Sequence, residues 1–201
     1  MDILIAGSKG QAKDLVSGFF WDNHVKDVVF YDDVSDSNEG LLFGQFKVLQ
    51  SLDEAKNYFL NKPNFIVAVA SPQKRKLITE KLSQAGGQNI RFLSPKALIQ
   101  NTNKISNEGV MIQIDCIISS NVQIEKGVLI NAKCIVLSDV HIDEYTSIAP
   151  NVLIKEGVKI GKNCIISTGV TVLSHVKIGD NVKIWKNKVI DCDIPSDTNL
   201  I

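Results

Sequence analysis

The sequence has no excess of charge of either sign, because its 22 Lys and Arg are balanced by 22 Asp and Glu among 201 residues. A chain without a basic excess has no electrostatic attraction to the phosphates of nucleic acid, so we expect no nucleic-acid partner. It also lacks an apolar run of the roughly 20 residues that a membrane helix requires. We therefore expect no membrane span.

Cysteine and histidine are scarce, with four Cys and three His in the chain. No spacing among them matches a zinc site, and we expect no metal. Cys116, Cys134 and Cys164 recur at apolar positions, which favours buried free thiols in a reducing compartment over disulfides. The chain starts directly on an apolar strand without the features of a signal peptide, so the sequence predicts a cytoplasmic protein.

An uninterrupted six-residue repeat fills residues 112–195, and each of its fourteen units begins with Ile or Val. A second residue, apolar or small in every unit except at Lys188, follows four positions later. This period is the signature of a parallel β-helix, in which three units close one triangular coil and stacked coils bury columns of aliphatic side chains. At roughly 4.8 Å per coil, the predicted prism is a little over 20 Å tall.

The N-terminal part of the chain shows a different pattern, in which apolar strands alternate with helices. The sequence predicts strands at 2–6, 25–31, 47–49, 65–70 and 90–93, and helices at 11–20, 51–59 and 72–84. Ser51 is the expected N-cap of the second helix, and two glycines after residue 85 end the third. This alternation predicts a small Rossmann-like α/β domain with a parallel sheet over residues 1–93, followed by the β-helix over residues 94–201.

Three loops follow strands at the predicted carboxyl edge of this sheet, where ligands of parallel α/β sheets bind. A glycine-bearing turn before a helix can hold phosphate on backbone N–H groups, carboxylates can accept from ribose or base, and an arginine can pair with phosphate. The candidate binding residues are Gly7, Ser8, Lys9, Gly10, Asp32, Asp33, Ser71 and Arg75. The alternatives are a tight turn, a solvated acidic loop and a surface arginine, since the glycine loop lacks the three-glycine dinucleotide fingerprint.

Several motifs together give essentially the whole chain a resemblance to one family. They are Gly7-Ser8-Lys9-Gly10-Gln11-Ala12, Tyr31-Asp32-Asp33, Asn131-Ala132, Ile148-Ala149-Pro150, Val158-Lys159-Ile160-Gly161 and Asp193-Ile194-Pro195. The chain resembles the bacterial nucleotide-sugar acyltransferases that include the bacillosamine N-acetyltransferase and sialic-acid O-acetyltransferase types. The resemblance implies that the β-helix is left-handed.

The resemblance also implies a function. It implies transfer of an acyl group, with acetyl-CoA as the donor, to a nucleotide-linked amino sugar in bacterial surface glycan synthesis, with N-transfer favoured over O-transfer. The N-terminal domain would hold the nucleotide sugar, and the cofactor would lie along a groove between the coils of a homotrimer. The residues assigned to acyl-CoA are Ser147, Ala149, Thr168, Gly169 and Lys186. Apolar residues expected on the outside of the coil fit a trimer, namely Leu129, Ile135, Leu153 and Ile165.

The chain departs from the family at the general base, because the family His falls on Ser138 while its acidic partner is present as Asp139. A serine is not a general base near neutral pH, whereas an imidazole is. His141 lies close in sequence, and its expected column neighbours are Gln123, Lys159 and Lys177. The candidate catalytic residues are therefore Ser138, Asp139 and His141.

The two remaining histidines are weaker candidates. His175 is expected to share a column with Asp139 at a distance of two coils, roughly 10 Å, which exceeds hydrogen-bonding distance. His24 is expected at the surface before a strand.

The missing family His leaves three interpretations of the sequence open. An active acyltransferase predicts binding of both acyl-CoA and a nucleotide sugar. A degenerate member that has lost transfer predicts nucleotide-sugar binding without CoA binding. A scaffold subunit, whose partner carries the chemistry, predicts a stoichiometric partner enzyme.

Overall fold

A computed structural model describes residues 2–19, 27–34, 41–42 and 46–201. The chain divides into two compact units. The α/β unit comprises Met1–Ala70 and Lys74–Ile90, and the coil unit comprises Ser71–Gln73 and Arg91–Ile201. Within the described residues, no helix is long and apolar enough to cross a membrane.

The α/β unit is built on a six-stranded sheet. In chain order, its elements are β1 (Asp2–Ala6), α1 (Gly10–Phe19), β2 (Asp27–Tyr31), β3 (Leu41–Leu42), β4 (Phe46–Leu49), α2 (Leu52–Phe59), β5 (Asn64–Val67), α3 (Pro72–Gln84) and β6 (Gln88–Asn89). The strand order is β3-β4-β2-β1-β5-β6. Apart from the antiparallel pair β3–β4, the neighbouring strands are parallel. The carboxyl ends of β2, β1 and β5 therefore lie side by side.

The predicted helices match the observed ones to within one residue at the described ends. At α2 the Ser51 hydroxyl accepts from the N–H of Glu54 (3.3 Å), and the Glu54 carboxylate accepts from the N–H of Ser51 (3.2 Å). This capping box satisfies two of the N–H groups that a helix start leaves without partners. The predicted helix end at Phe20, the predicted strand start at 25–26 and His24 lie outside the described residues.

Two predicted strands differ from the structure. The strand predicted at 65–70 ends at Val67, because the chain leaves the sheet to form the loop before α3. The strand predicted at 90–93 does not form as one element. Instead, Gln88–Asn89 pairs with β5 in the α/β unit, whereas Phe92–Leu93 pairs with Met111–Ile112 in the coil unit.

The coil unit consists of two-residue parallel strands on three faces, which confirms the predicted parallel β-helix. The first face contains Phe92–Leu93, Met111–Ile112, Leu129–Ile130, Ser147–Ile148, Ile165–Ile166, Lys183–Ile184 and Asn199–Leu200. The second face contains Leu98–Ile99, Ile117–Ile118, Ile135–Val136, Leu153–Ile154, Thr171–Val172 and Val189–Ile190. The third face contains Lys104–Ile105, Gln123–Ile124, His141–Ile142, Lys159–Ile160 and Lys177–Ile178.

The inward positions of the repeat form one continuous apolar core. The second residue of each strand points into it, and the smaller residues near the corners complete it. Cys116, Cys134 and Cys164 lie there as free, buried thiols. Burial raises the pKa of Cys164 to about 11, so this thiol stays protonated at neutral pH. Thr146 is fully buried there although it is polar, and its hydroxyl donates to the carbonyl of Gly161 at 2.7 Å.

The period changes at both ends of the coil. Partners in the middle are eighteen residues apart, as in Leu129 with Ser147. At the start Leu93 pairs with Ile112, nineteen residues away, and at the end Ile184 pairs with Leu200, sixteen residues away. Because of one extra residue before Ile112, the strands that end at Leu93, Ile99 and Ile105 do not fit the six-residue repeat. The coil therefore begins about one turn earlier than the repeat predicts.

Candidate functional site

The turn after β1 forms because residue 7 is glycine. Gly7 has φ +107°, and a Cβ there would lie 3.1 Å from the carbonyl oxygen of Ala68. Its N–H donates to the carbonyl of Tyr31 at 2.8 Å. Lys9 and Gly10 follow, and the carbonyl of Lys9 accepts the N–H of Ala12 at 2.9 Å as α1 begins. The turn brings the end of β1 against the ends of both neighbouring strands.

Ser8 and Asp32, predicted from separate loops, meet at this edge of the sheet. The buried hydroxyl of Ser8 donates to Oδ2 of Asp32. The other carboxylate oxygen of Asp32 accepts the N–H of Val34 at 3.1 Å, which closes a tight turn after β2. The two residues therefore form a fixed polar pair where the sequence predicted a binding site.

Asp33 belongs to a second polar cluster with Tyr31 and Lys81. Its Oδ2 accepts from the hydroxyl of Tyr31 at 2.8 Å and from Nζ of Lys81. Burial raises the pKa of Asp33, but the hydrogen bonds from Lys81 and Tyr31 outweigh it, and the pKa falls below its usual range. The hydrogen bond to Asp33 in turn raises the pKa of Lys81. Asp33 is thus ionised and paired, which differs from a solvated loop.

Arg75 differs from both sequence-based interpretations, the phosphate ligand and the surface residue. It is 1% exposed, and its Nη1 donates to the carbonyls of Val69 (2.8 Å) and Ala70 (3.1 Å). The guanidinium thus holds the loop that follows β5 and precedes Ser71. A buried arginine bound to backbone carbonyls fixes the shape of this loop.

In the coil, Ser138 and Asp139 lie at the corner between the second and third faces, here called the second corner. Ser138 is half-buried, and its carbonyl accepts the N–H of Gly157 at 3.0 Å. Asp139 is exposed with φ +62°, and its Oδ1 accepts from Nδ2 of Asn121 at 3.3 Å. Both residues are therefore available at one edge of the prism.

His141 lies on the third face, beyond this corner. Its strand neighbours are Gln123 and Lys159, with Lys177 one coil further, and this predicted column is confirmed. Its Nε2 lies 3.6 Å from Oε1 of Glu125. The structure therefore groups His141 with Glu125 and separates it from the second corner.

The residues predicted to bind acyl-CoA lie on a different corner. Ala149, Thr168, Gly169 and Lys186 occupy successive coils where the first face turns into the second. Ser147 lies beside them on the first face and is 5% exposed. Within one chain, these residues and Ser138 lie at opposite edges of the second face.

The apolar exterior also differs from the prediction. Leu129 is fully buried, and Leu129 and Ile165 belong to the first face, whereas Ile135 and Leu153 belong to the second. The exposed apolar residues concentrate on the second face, in a stripe formed by Leu98, Ile117, Ile135 and Val189, with Leu153 half-buried among them. An apolar stripe along one face of a prism marks an interaction surface.

Two functional candidates were missed by the sequence analysis. Lys81, on α3, pairs with Asp33 across 48 residues, and no local signal connects them. Glu156 lies one coil above Ser138, because the N–H of Gly157 binds the carbonyl of Ser138. The eighteen-residue period would have located Glu156. Among the residues described, no group of three or more His, Cys, Asp or Glu side chains could hold a metal ion.

The comparisons with known proteins agree with this architecture. Residues 121–156 and 157–192 match the family model of the bacterial transferase hexapeptide (six repeats). No curated protein sequence matches the chain.

Solved structures match both units together. The acetyltransferase domain of PglB from Neisseria gonorrhoeae, in complex with acetyl coenzyme A, is 22% identical with a TM-score of 0.90, over 98% of this chain and 94% of that chain. PerB from Caulobacter crescentus, in complex with CoA and GDP-perosamine, is 19% identical with a TM-score of 0.87, over 99% and 93%. WeeI from Acinetobacter baumannii is 20% identical with a TM-score of 0.70, over 99% and 96%. This chain therefore has the fold of these proteins, an α/β unit followed by a left-handed β-helix.

Proposed function

We propose that this protein is a CoA-dependent acyltransferase that moves an acetyl group from acetyl-CoA to an amino group of a nucleotide-linked sugar, a step in bacterial surface glycan synthesis. A sugar hydroxyl is the second choice of acceptor. The observation that carries the proposal is the match of both units to structures that hold these ligands, acetyl coenzyme A in one and CoA with GDP-perosamine in another. We place the protein in the cytoplasm, because its free buried thiols favour a reducing compartment.

In this proposal the α/β unit binds the nucleotide sugar at the carboxyl ends of β1, β2 and β5. The N–H groups of Ser8, Lys9 and Gly10 face the diphosphate, as helix starts do in other nucleotide sites, while the N–H of Gly7 stays bound to Tyr31. Asp32 and Asp33 accept from ribose or base hydroxyl and amino groups. Arg75 acts by holding the loop that carries Ser71, which supports the polar edge of the site.

The coil binds acetyl-CoA at Ser147, Ala149, Thr168, Gly169 and Lys186. These residues and Ser138 lie at opposite edges of the second face. Packing of that face against a second copy would therefore bring the acyl-CoA corner of one chain next to the Ser138 corner of the other. The apolar stripe favours a homotrimer closed around a three-fold axis. Light scattering that finds a monomer at micromolar concentration would contradict this assembly.

Chemically, the site would work mainly by holding the sugar amine and the thioester together, which supplies a large part of the barrier lowering. Attack by the amine forms the amide bond and expels the CoA thiol. The proton of the attacking amine requires an acceptor, and Ser138 does not provide one.

The proposal is tested by titrating the purified protein with acetyl-CoA in a calorimeter and by following CoA thiol release with a panel of nucleotide-linked amino sugars. We expect micromolar binding at about one site per chain, and thiol release that depends on the sugar. Nucleotide-sugar binding without any CoA binding would overturn transfer and identify a binding protein. A stoichiometric partner that is required for turnover would identify a scaffold.

A further inference from the structure

The second corner brings together residues from three successive coils. Ser138, Glu156 and Ser174 occupy equivalent places, since the N–H of Gly157 binds the carbonyl of Ser138 (3.0 Å) and the N–H of His175 binds the carbonyl of Glu156 (2.8 Å). The corner therefore presents a serine, a carboxylate and a second serine along one edge of the prism, and His175 directly follows the second serine.

The next position along this corner is a column of left-handed residues. Asn121, Asp139, Gly157 and His175 have φ of 58°, 62°, 67° and 64°. Since three of these positions hold residues with side chains, the backbone conformation alone does not require glycine at 157. The glycine leaves a gap in the column between Asp139 and His175.

The imidazole of His175 fills this gap. A Cβ on Gly157 would collide with Nδ1 and Cε1 of His175, so the ring lies directly over the bare Cα of Gly157. The sequence spacing placed His175 two coils from Asp139. Because the ring folds back across Gly157, its nitrogen lies about one coil, roughly 4.8 Å, nearer to Ser138 and Asp139 than its own Cα does.

The Glu156 carboxylate precedes Gly157 on the same corner. Oε2 of Glu156 accepts from the hydroxyl of Ser174 at 2.9 Å. A backbone hydrogen bond and then Ser174 lower the pKa of Glu156, and His175 contributes to the same shift. A carboxylate near an imidazole can orient the ring, as in catalytic triads.

We propose that the imidazole of His175 replaces the missing family base, with Glu156 and Gly157 positioning it. This rests on the proposed acyl transfer. As the sugar amine attacks the thioester carbonyl, the C–N bond forms and one amine proton passes to the neutral imidazole. The C–S bond then breaks, and the imidazolium returns that proton to the CoA thiolate, so that the amide and CoA leave and the imidazole is neutral again.

The other candidates fit this role less well. The carboxylate of Asp139 is bound to Asn121 on the side of the column away from His175. His141 lies on the third face and faces Glu125. His175 is exposed, and its ring lies over Gly157, one coil from Asp139.

The test uses the full-length protein with acetyl-CoA and the acceptor sugar found active in the thiol-release assay. We expect His175→Asn to lower kcat about 100-fold, in the range of lost general-base catalysis, with little change in KM. Ser138→His in the same background should raise kcat at least tenfold, since it restores an imidazole at the family position. A merely structural role for His175 would not be rescued in this way.

Two matched pairs separate positioning from damage to the fold. Gly157→Ala should lower kcat because the methyl displaces the imidazole, whereas Gly127→Ala, with φ +66° and a collision with Tyr145, imposes similar strain at another corner and should leave kcat unchanged. Glu156→Gln should lower kcat about tenfold without changing KM. Glu144→Gln, one residue before a left-handed position on that other corner, should have no effect.

Wild-type kcat in His175→Asn would overturn this inference and leave the proposed function intact. Failure of Ser138→His to raise the kcat of His175→Asn would also overturn it. A wild-type protein that transfers no acyl group to any acceptor would overturn the proposed function and this inference together.

Discussion

In the coil unit the same packing and backbone hydrogen bonds recur in successive coils, whereas the polar side-chain contacts of the α/β unit do not follow a repeat. The inward residues of the coil recur every eighteen positions with the same burial and the same backbone hydrogen bonds. The α/β unit instead relies on individual arrangements, such as Arg75 on the carbonyls after β5 and Lys81 on Asp33. Chemistry in the coil must therefore come from departures from repetition, while chemistry in the α/β unit comes from strand ends.

The largest change in stability is expected from a comparison of two neighbouring residues of one coil strand. Ile160 points inward and is 2% exposed, while Lys159 points outward. Ile160→Asp should cost more than about 4 kcal/mol, because it buries an unpaired carboxylate in the continuous core. Lys159→Asp should change the free energy of unfolding by less than about 0.5 kcal/mol. Thermal unfolding followed by circular dichroism measures both, and equal losses would contradict the assigned strand orientation.

The next test addresses the singular contacts of the α/β unit. Arg75→Met should lower the free energy of unfolding by about 2–3 kcal/mol, since the hydrogen bonds of a buried guanidinium to two backbone carbonyls are lost. Lys76→Met, one residue on and exposed, is the control and should be near neutral. Urea denaturation provides the measurement. A neutral Arg75→Met would mean that the loop after β5 holds its shape without the guanidinium.

A smaller effect is expected at the start of α2. Ser51→Ala removes half of the capping box and should cost about 1 kcal/mol. Ser83→Ala makes the same chemical change at an exposed position inside α3, where alanine favours the helix slightly, so stability should hold or rise. Hydrogen exchange of the α2 amides distinguishes the cases. Unchanged protection of α2 in Ser51→Ala would show that the capping box adds nothing to this helix.

The smallest effect is the pH dependence of the pair between Asp33 and Lys81. The lowered pKa of Asp33 gives a stabilisation that is present above its unfolded pKa and lost as pH falls through the folded pKa. The raised pKa of Lys81 gives a stabilisation that is lost only as pH rises through its folded value, above about 10.5. The difference between wild type and Lys81→Met should therefore be widest from about pH 5 to 9.

Because both side chains are partly exposed, that difference should stay below about 1 kcal/mol. Tyr31→Phe, which removes one hydroxyl from Asp33 and keeps the cation, is the matched variant. A stability difference that does not vary with pH would show that the pair contributes through packing alone.

The coil was predictable because one rule, an inward aliphatic every sixth residue, determines its strands, core and faces. The rule failed where the period changed. One extra residue before Ile112 puts Leu93, Ile99 and Ile105 out of phase with the later repeat. It also gave no information about what covers an outward residue, so Leu129 was expected outside and is buried. Periodicity specifies the direction of a side chain and does not specify its exposure.

The candidate site was predictable only in part. Strand order follows from alternation, so the meeting of the loops that carry Ser8 and Asp32 was within reach of the sequence. The partners of Asp33 and Arg75 were not, because they depend on the position of α3 and on the path of the chain after Val67. The spacing placed His175 two coils from Asp139, as observed for the backbone, but it could not show that the ring of His175 folds over Gly157.

Because the period is constant, successive coils are spaced regularly, about 4.8 Å apart along the axis of the prism. A residue eighteen positions later in the sequence lies at the same edge of the prism with the same orientation, one coil higher. Reactive groups can therefore be relocated along an edge by substitution alone, without any rearrangement of the backbone. In the proposed mechanism, the imidazole acts from the neighbouring position two coils above, at His175, and not from position 138.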